Sequence, residues 1–221
     1  MDELHTRLVA ALSGITEDFE IVLVEDGGGD RSWSRIAAIA EEDTRVHGIR
    51  LSRNFGQHRA ITAGLDAAAG DWVVVMDCDL QDPPEMIPLL YEEVQKGFDV
   101  AVACFEERSE SGRRRMTSSL FWAVLSWLSG TKFDPRIGNF RIMSRKVVEG
   151  FRRYREQLRL LGGIVSLMGY ETAIVPMKRH SRHAGRSAYN LSKLFSAAID
   201  IVMAYSDRPL RLSVGIGFGM A

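Results

Sequence analysis

From residue 20 to residue 104, short unbroken apolar runs alternate with longer stretches whose apolar residues recur every three or four positions. The first pattern marks a buried strand, the second a helix with one apolar stripe. Ile21-Val22-Leu23-Val24 follows Glu20 and ends in the turn Glu25-Asp26-Gly27-Gly28-Gly29-Asp30. Asp30 is placed to cap a helix carrying Trp33, Ile36, Ala37 and Ala40. Gly48 precedes a second short strand, Ile49 to Leu51, and Ala60, Ile61, Gly64, Leu65 and Ala68 mark the next helix. Trp72-Val73-Val74-Val75-Met76 is continuously apolar, which predicts a strand covered on both faces. Asp82 before Pro83 reads as a cap followed by a first-turn proline. The helix it opens would bury Met86, Leu89, Leu90 and Val94, and Phe98 to Cys104 supplies another strand. Strand and helix alternating at this spacing predict a mostly parallel α/β sheet with helices on both faces. Ligands of such sheets bind beyond the carboxyl ends of the strands, where Asp26 and Asp77-Cys78-Asp79 would lie together.

The second half is less regular. A charged loop at 106–115 precedes an apolar helix, Ser119 to Leu128, with Trp122 and Trp127. Phe140 to Met143 and Thr172 to Val175 read as strands, and Lys178 to Arg186 as a basic loop. Asn190 can cap a helix running to about Tyr205, with Leu191, Leu194, Phe195, Ala198, Ile201, Val202 and Tyr205 on one face. The closing run from Leu212 to Ala221 is shorter than the roughly 20 residues that span a bilayer, and reads as the start of a transmembrane segment.

Charge sharpens the division. Residues 1–107 carry 8 basic against 22 acidic side chains, and residues 108–221 carry 20 against 7. The acidic half suits a divalent cation, the basic half phosphates or an anionic membrane; a solvated surface on both halves remains the plainer account. Ordinary apolar and charged fractions exclude disorder. No basic stretch and apolar run open the chain as a signal peptide would. Cys78 and Cys104, in apolar surroundings, are expected to be buried thiols of a reducing compartment, too few for a zinc site.

The central chemistry lies in Asp77-Cys78-Asp79-Leu80-Gln81-Asp82. Two carboxylates two residues apart, just past an apolar strand, can present hard oxygens to Mg²⁺ or Mn²⁺, with Gln81 as a further ligand. Such an ion would offset charge on a departing diphosphate. A solvated capping turn explains Asp82 but gives Asp77 and Asp79 no task. Asp26 among its glycines can meet a nucleobase or ribose, or cap a turn. Arg53-Asn54-Phe55-Gly56-Gln57-His58-Arg59 can reach a diphosphate or simply make a turn, with His58 a surface or capping residue. The glycines do not form a phosphate loop of the GxxxxGK[ST] kind.

Six segments taken in order resemble the family 2 glycosyltransferases. They are Val24 to Gly27, Leu51 to Gly56, Ala63 to Leu65, Gly70-Asp71, Asp77 to Pro84 and Gly138 to Arg145. The likeness is greatest to the branch of dolichol-phosphate mannose synthase and the bacterial polyprenyl-phosphate glycosyltransferases. It implies a GT-A fold and inverting transfer of a sugar from a UDP- or GDP-sugar to a polyprenyl phosphate at the cytoplasmic face of the cell membrane. Carried over by position, Glu25, Asp26, Arg53, Asp77, Cys78 and Asp79 bind the nucleotide-sugar. Asp77, Asp79 and Gln81 hold the metal, Asp79, Asn139 and Arg141 are catalytic, and Arg182, Arg186 and Ser187 grip the acceptor phosphate. Many relatives carry Asp at the position of Asn139, which cannot take a proton. Relatives also begin with a strand that this chain is expected to lack, and the segment Leu4 to Leu12 is expected to match the helix after it.

The expected organisation is a GT-A-like catalytic domain at 1–178, a basic loop and amphipathic membrane-interface helix at 179–209, and the start of a membrane segment at 210–221. The expected partners are donor, lipid acceptor and the membrane surface, without nucleic acid; self-association is left open. The alternatives are a non-catalytic relic that binds nucleotide-sugar or lipid phosphate, and a nucleotidyltransferase, which leaves Leu80 to Pro84 unexplained.

Overall fold

The computed structural model describes residues 1–29, 31–105, 134, 136–156 and 159–177. The chain divides into two compact units, residues 1–106 with 137–183, and residues 107–136 with 184–221. The second unit falls almost wholly outside the described residues. So do the expected helices at 119–128 and 190–205, the basic loop, the closing apolar run and the Asp30 cap.

The first unit opens with α1 (Asp2–Ser13), whose Leu4, Leu8 and Ala11 face inward at helical spacing. Then follow β1 (Ile21–Glu25), α2 (Ser32–Glu42), β2 (Val46–Arg50), α3 (Gln57–Ala67) and β3 (Trp72–Val75). A 3₁₀ turn at Pro84–Met86 leads into α4 (Ile87–Gln95), then β4 (Val100–Phe105). After the second unit's first segment come β5 (Ile137–Ser144), α5 (Arg145–Arg153), α6 (Leu161–Met168) and β6 (Thr172–Met177).

Two sheets result. β1 and β2 form a parallel pair. The other sheet has the order β3-β5-β4-β6, with β4 and β6 parallel and β5 antiparallel to both its neighbours. No ladder joins β1 to β3 among the described residues. One apolar cluster nevertheless runs through Ile21 and Leu23 of β1, Ile36 and Ile39 of α2, Leu90 and Val94 of α4, and Phe140 and Ile142 of β5.

Several expectations need correction. Trp72 to Val75 are all half-buried, because β3 is an edge strand and not a strand covered on both faces. Asp82 does not cap α4: the 3₁₀ turn intervenes, and α4 starts at Ile87 without a side-chain cap. Leu89 is 41% exposed, and Ile87 takes the inward position instead. Gly48 lies inside β2, where a Cβ would stand 2.8 Å from Ile36 Cγ2; its lack of side chain lets α2 pack on the strand. Cys78 is exposed and Cys104 only partly buried. Helices α5 and α6 were not anticipated. Val147, Val148 and Phe151 of α5 sit among charges, and Gly162-Gly163 gives α6 the look of a turn. Among the described residues no helix is long and apolar enough to cross a membrane.

Candidate active site

The carboxyl ends of β1, β2 and β3 and the beginning of β5 converge through side-chain contacts. Asp26, just after β1, accepts hydrogen bonds from the Phe55 and Gly56 N–H groups, both at 2.8 Å. The next residue, Gln57, opens α3 and donates to Asp77 Oδ1 at 2.8 Å. Asp26 therefore anchors the loop after β2, and that loop anchors Asp77. The close approach needs Gly27. Its φ is +63°, and a Cβ there would lie 2.3 Å from the Arg53 carbonyl carbon.

Glu25 is buried at the end of β1. It accepts from Gly28 N–H at 2.5 Å, and its Oε2 lies 3.4 Å from Arg50 Nε as an ion pair without a hydrogen bond. Beside it is a cavity of about 360 Å³ lined by Gly27, Gly29, Arg50, Leu51 and Ser52. Arg53 stacks over the exposed Phe55 ring at 4.8 Å from its centre. His58 is half-buried on α3; its Nδ1 finds no hydrogen-bond partner among the described residues, and desolvation lowers its pKa.

The loop after β3 is folded on itself. Asp82, 4% exposed, accepts the Asp77 N–H at 3.3 Å. Asp79 accepts from Gln81 N–H at 3.1 Å and from the Gln81 side-chain amide. Between them Leu80 holds φ at +60°, a left-handed conformation that costs a branched residue about 1–2 kcal/mol. Packing of Leu80 on the core opposes that cost and leaves Asp79 exposed at the tip. Although Cys78 is exposed by surface area, the protein packed around its thiol desolvates it, and this, then the charges of Asp77 and Asp79, pushes its pKa up, so it is a neutral thiol at pH 7.

Asn139 reaches the same place from β5. The β3–β5 ladder pairs Trp72 with Ser144 and Val75 with Arg141. Carried on two residues, that register sets Asp77 opposite Asn139, whose amide lies 3.5 Å from Asp77 Oδ1. Arg141, 5% exposed, does not point its charge at a carboxylate among the described residues. It donates to the Gly138 carbonyl at 2.7 Å and the Asn139 carbonyl at 3.2 Å, and burial lowers its pKa to about 10. The structure thus brings together Glu25, Asp26, Arg53, Asp77, Cys78, Asp79, Gln81, Asn139 and Arg141 at one edge. Arg182, Arg186 and Ser187 lie outside the described residues. Gln57 and Asp82 were missed as site residues. The only sequence signal for Gln57 was its place directly after a turn glycine.

No group of three or more His, Cys, Asp or Glu able to hold a metal occurs among the described residues. The donor set still fits a hard cation. Mg²⁺ takes one or two carboxylates and completes its shell with water and substrate phosphates. Asp77 and Asp79 offer two, and the Gln81 amide carries a further oxygen.

The mixed α/β sheet with its flanking helices has the GT-A fold. The chain belongs to glycosyl transferase family 2, whose model matches residues 2–155, and it is a glycosyltransferase. It is 40% identical over 205 residues to the bactoprenol glucosyl transferase of Shigella phage SfV, covering 92% of this chain and 67% of that protein. It is 35% identical over 222 residues to an undecaprenyl-phosphate 4-deoxy-4-formamido-L-arabinose transferase of Pseudomonas aeruginosa, covering 100% of this chain and 66% of that one. Among solved structures, a mannosyltransferase of Pyrobaculum calidifontis in complex with GDP-Man and Mn²⁺ matches with a TM-score of 0.53. That match has 16% identity and covers 94% of this chain and 66% of that one. Glucosyl-3-phosphoglycerate synthase of Mycobacterium tuberculosis matches with a TM-score of 0.56 and 18% identity, over 90% of this chain and 73% of that one.

Proposed function

We propose that the protein transfers a sugar from a UDP- or GDP-sugar to a polyprenyl phosphate at the cytoplasmic membrane face, with inversion and with Mg²⁺ or Mn²⁺. The observation that carries this is the Asp77–Asp79 pair at the tip of the loop after β3, linked through Gln57 to the loop that Asp26 anchors. The names of the bactoprenol and undecaprenyl-phosphate relatives support the acceptor class.

The acceptor phosphate is anionic at neutral pH. Its oxygen forms the bond to the anomeric carbon as the bond to the nucleoside diphosphate breaks, and no proton need be removed. This suits Asn139, an amide that cannot act as a base. The cavity lined by Gly27, Gly29, Arg50, Leu51 and Ser52 would take part of the nucleotide, with Glu25 and Asp26 just before it in the chain. Asp77, Asp79 and Gln81 would hold the metal, which supplies positive charge for the departing diphosphate. Arg182, Arg186 and Ser187 are proposed for the acceptor phosphate, and positioning then supplies much of the rate.

The test is turnover of a panel of nucleotide-sugars with polyprenyl phosphate and Mn²⁺, read as glycosylated lipid. Asp79→Ala is expected to abolish product; full activity of that variant would remove the metal role. Donor binding without any turnover would favour the non-catalytic alternative, for which Asn139 in place of an acid is the motive.

A further inference from the structure

We infer that Arg141 is a positioning residue whose guanidinium locks a bulge in β5 and so turns Asn139 onto Asp77. β5 pairs with β4 in one register from Met143↔Val100 to Arg141↔Val102, then shifts so that Ile137 faces Cys104. Gly138, Asn139 and Phe140 of β5 therefore oppose the single residue Ala103. Bulges of this kind bend a strand and re-aim its side chains, and they take backbone groups out of the ladder. The two carbonyls inside the bulge, Gly138 and Asn139, are the ones that Arg141 binds. On its other side β5 pairs with β3 from Trp72↔Ser144 to Val75↔Arg141, and that register carried two residues further places Asn139 opposite Asp77, where its amide lies 3.5 Å from Oδ1.

The surroundings are shaped for a guanidinium. Arg141 is buried, and no carboxylate among the described residues pairs with it. A Cβ on Gly162 of α6 would stand 3.2 Å from Arg141 Nη2 and 3.6 Å from Nη1, so the bare backbone of α6 leaves room for the planar fork. A lysine could supply charge, but its ammonium lacks the rigid fork that reaches both carbonyls. With its pKa held at about 10 the group remains a cation at neutral pH. The catalytic place expected for Arg141 thus becomes an indirect one: it holds the strand that carries Asn139.

This rests on Asp77 being part of the donor site, so the experiment has one arm that needs no turnover. The side-chain amide of Asn139 is assigned by NMR through its loss in Asn139→Ser. Asp77→Asn is expected to move that resonance in the wild-type background. In Arg141→Met the resonance should already be displaced and no longer respond to Asp77→Asn, and Gly162→Ala should displace it in the same direction. An unmoved resonance in both variants overturns the proposal. Where Arg141→Met does not fold, Arg141→Lys and Gly162→Ala carry this arm.

The second arm is kinetic. Arg141→Met and Asn139→Ala are each expected to lower kcat tenfold or more. The double variant should be no slower than the slower single, because both act through one contact. Arg141→Lys should recover part of the loss. Multiplied losses in the double variant would show that Arg141 acts independently of Asn139. If the wild type shows no transfer with any donor, the proposed function falls, while the amide arm still decides the role of Arg141.

Discussion

Replacing Gly27 by alanine, with Gly29→Ala as its matched control, tests how the first two site loops are held together. Both glycines have left-handed backbones, φ +63° and +69°. An alanine pays about 1 kcal/mol for that conformation at either position. The difference lies in what a Cβ meets. At Gly29 nothing stands within 4 Å, whereas at Gly27 the Cβ would lie 2.3 Å from Arg53 C and 2.5 Å from Asn54 N, which are backbone atoms. No rotamer change relieves that clash, so the two loops must part by about 1 Å to reach ordinary contact at 3.4 Å. Asp26 bridges the same loops through its bonds to Phe55 and Gly56, both 2.8 Å, and these stretch when the loops part. A hydrogen bond to a charged group contributes about 1.5–3 kcal/mol, so loss of one of the two should bring the cost of Gly27→Ala to about 2.5–4 kcal/mol, against about 1 for Gly29→Ala. The assay is urea unfolding of both variants, with nucleotide-sugar affinity by calorimetry alongside. Gly27→Ala should also weaken donor binding through displacement of Gln57 and Asp77. Equal unfolding midpoints for the two variants would refute the reasoning.

Arg152 closes the far end of α3 by donating to the Leu65 carbonyl at 2.6 and 2.9 Å and to Ala68 O at 2.5 Å, so Arg152→Met should cost about 2 kcal/mol in chemical denaturation by baring those carbonyls. Asp43 is held well below its ordinary pKa of 3.8, first by the Arg45 side chain and then by its backbone N–H and by His5. Its stabilisation is therefore whole above that ordinary value and drains as pH falls toward the lowered one, so Asp43→Asn should flatten the loss of thermal midpoint between about pH 4 and pH 2. The raised pKa of Cys78 predicts slow alkylation by iodoacetamide at pH 7 and faster alkylation above pH 9. Mn²⁺ with UDP or GDP should protect that thiol, and unchanged labelling would count against metal binding by its neighbours.

The part of the site legible in the sequence was the part written in consecutive residues. An apolar run ending in Asp77-Cys78-Asp79 located the strand end, and Asp26 after a similar run located another. What escaped was set by register. Asp77 and Asn139 are 62 residues apart, and the pairing of β3 with β5, which ends two residues short of them, brings them together. The role of Arg141 depends on a bulge that no local pattern announces, since the residue sits in the ordinary strand run Phe140 to Met143. Asp82 misled because a cap and a back-bond to the preceding loop look alike in sequence; the intervening 3₁₀ turn decided between them.

The separation of β1 from β3 changes where the strength of the site must reside. In a continuous sheet, adjacent strand ends are fixed by ladder hydrogen bonds. Here β1 and β3 share none among the described residues, yet they are tied at both ends. Glu20, just before β1, accepts the Ala69 N–H at 2.6 Å, and Ala69 lies shortly before β3. At the other end Asp26 holds Gly56, and Gln57 holds Asp77. The two strands therefore run the same way, and among the described residues the first turn of α3 links the Asp26 loop to Asp77. That turn is exposed at Gln57, so its contact with Asp77 competes with water and is the softest link in the chain. A ligand bridging the Asp26 loop and Asp77 would replace the missing ladder as the element that fixes their separation. Donor binding and rigidity of this edge should accordingly be coupled, with the amides of residues 53–57 gaining hydrogen-exchange protection when nucleotide-sugar binds.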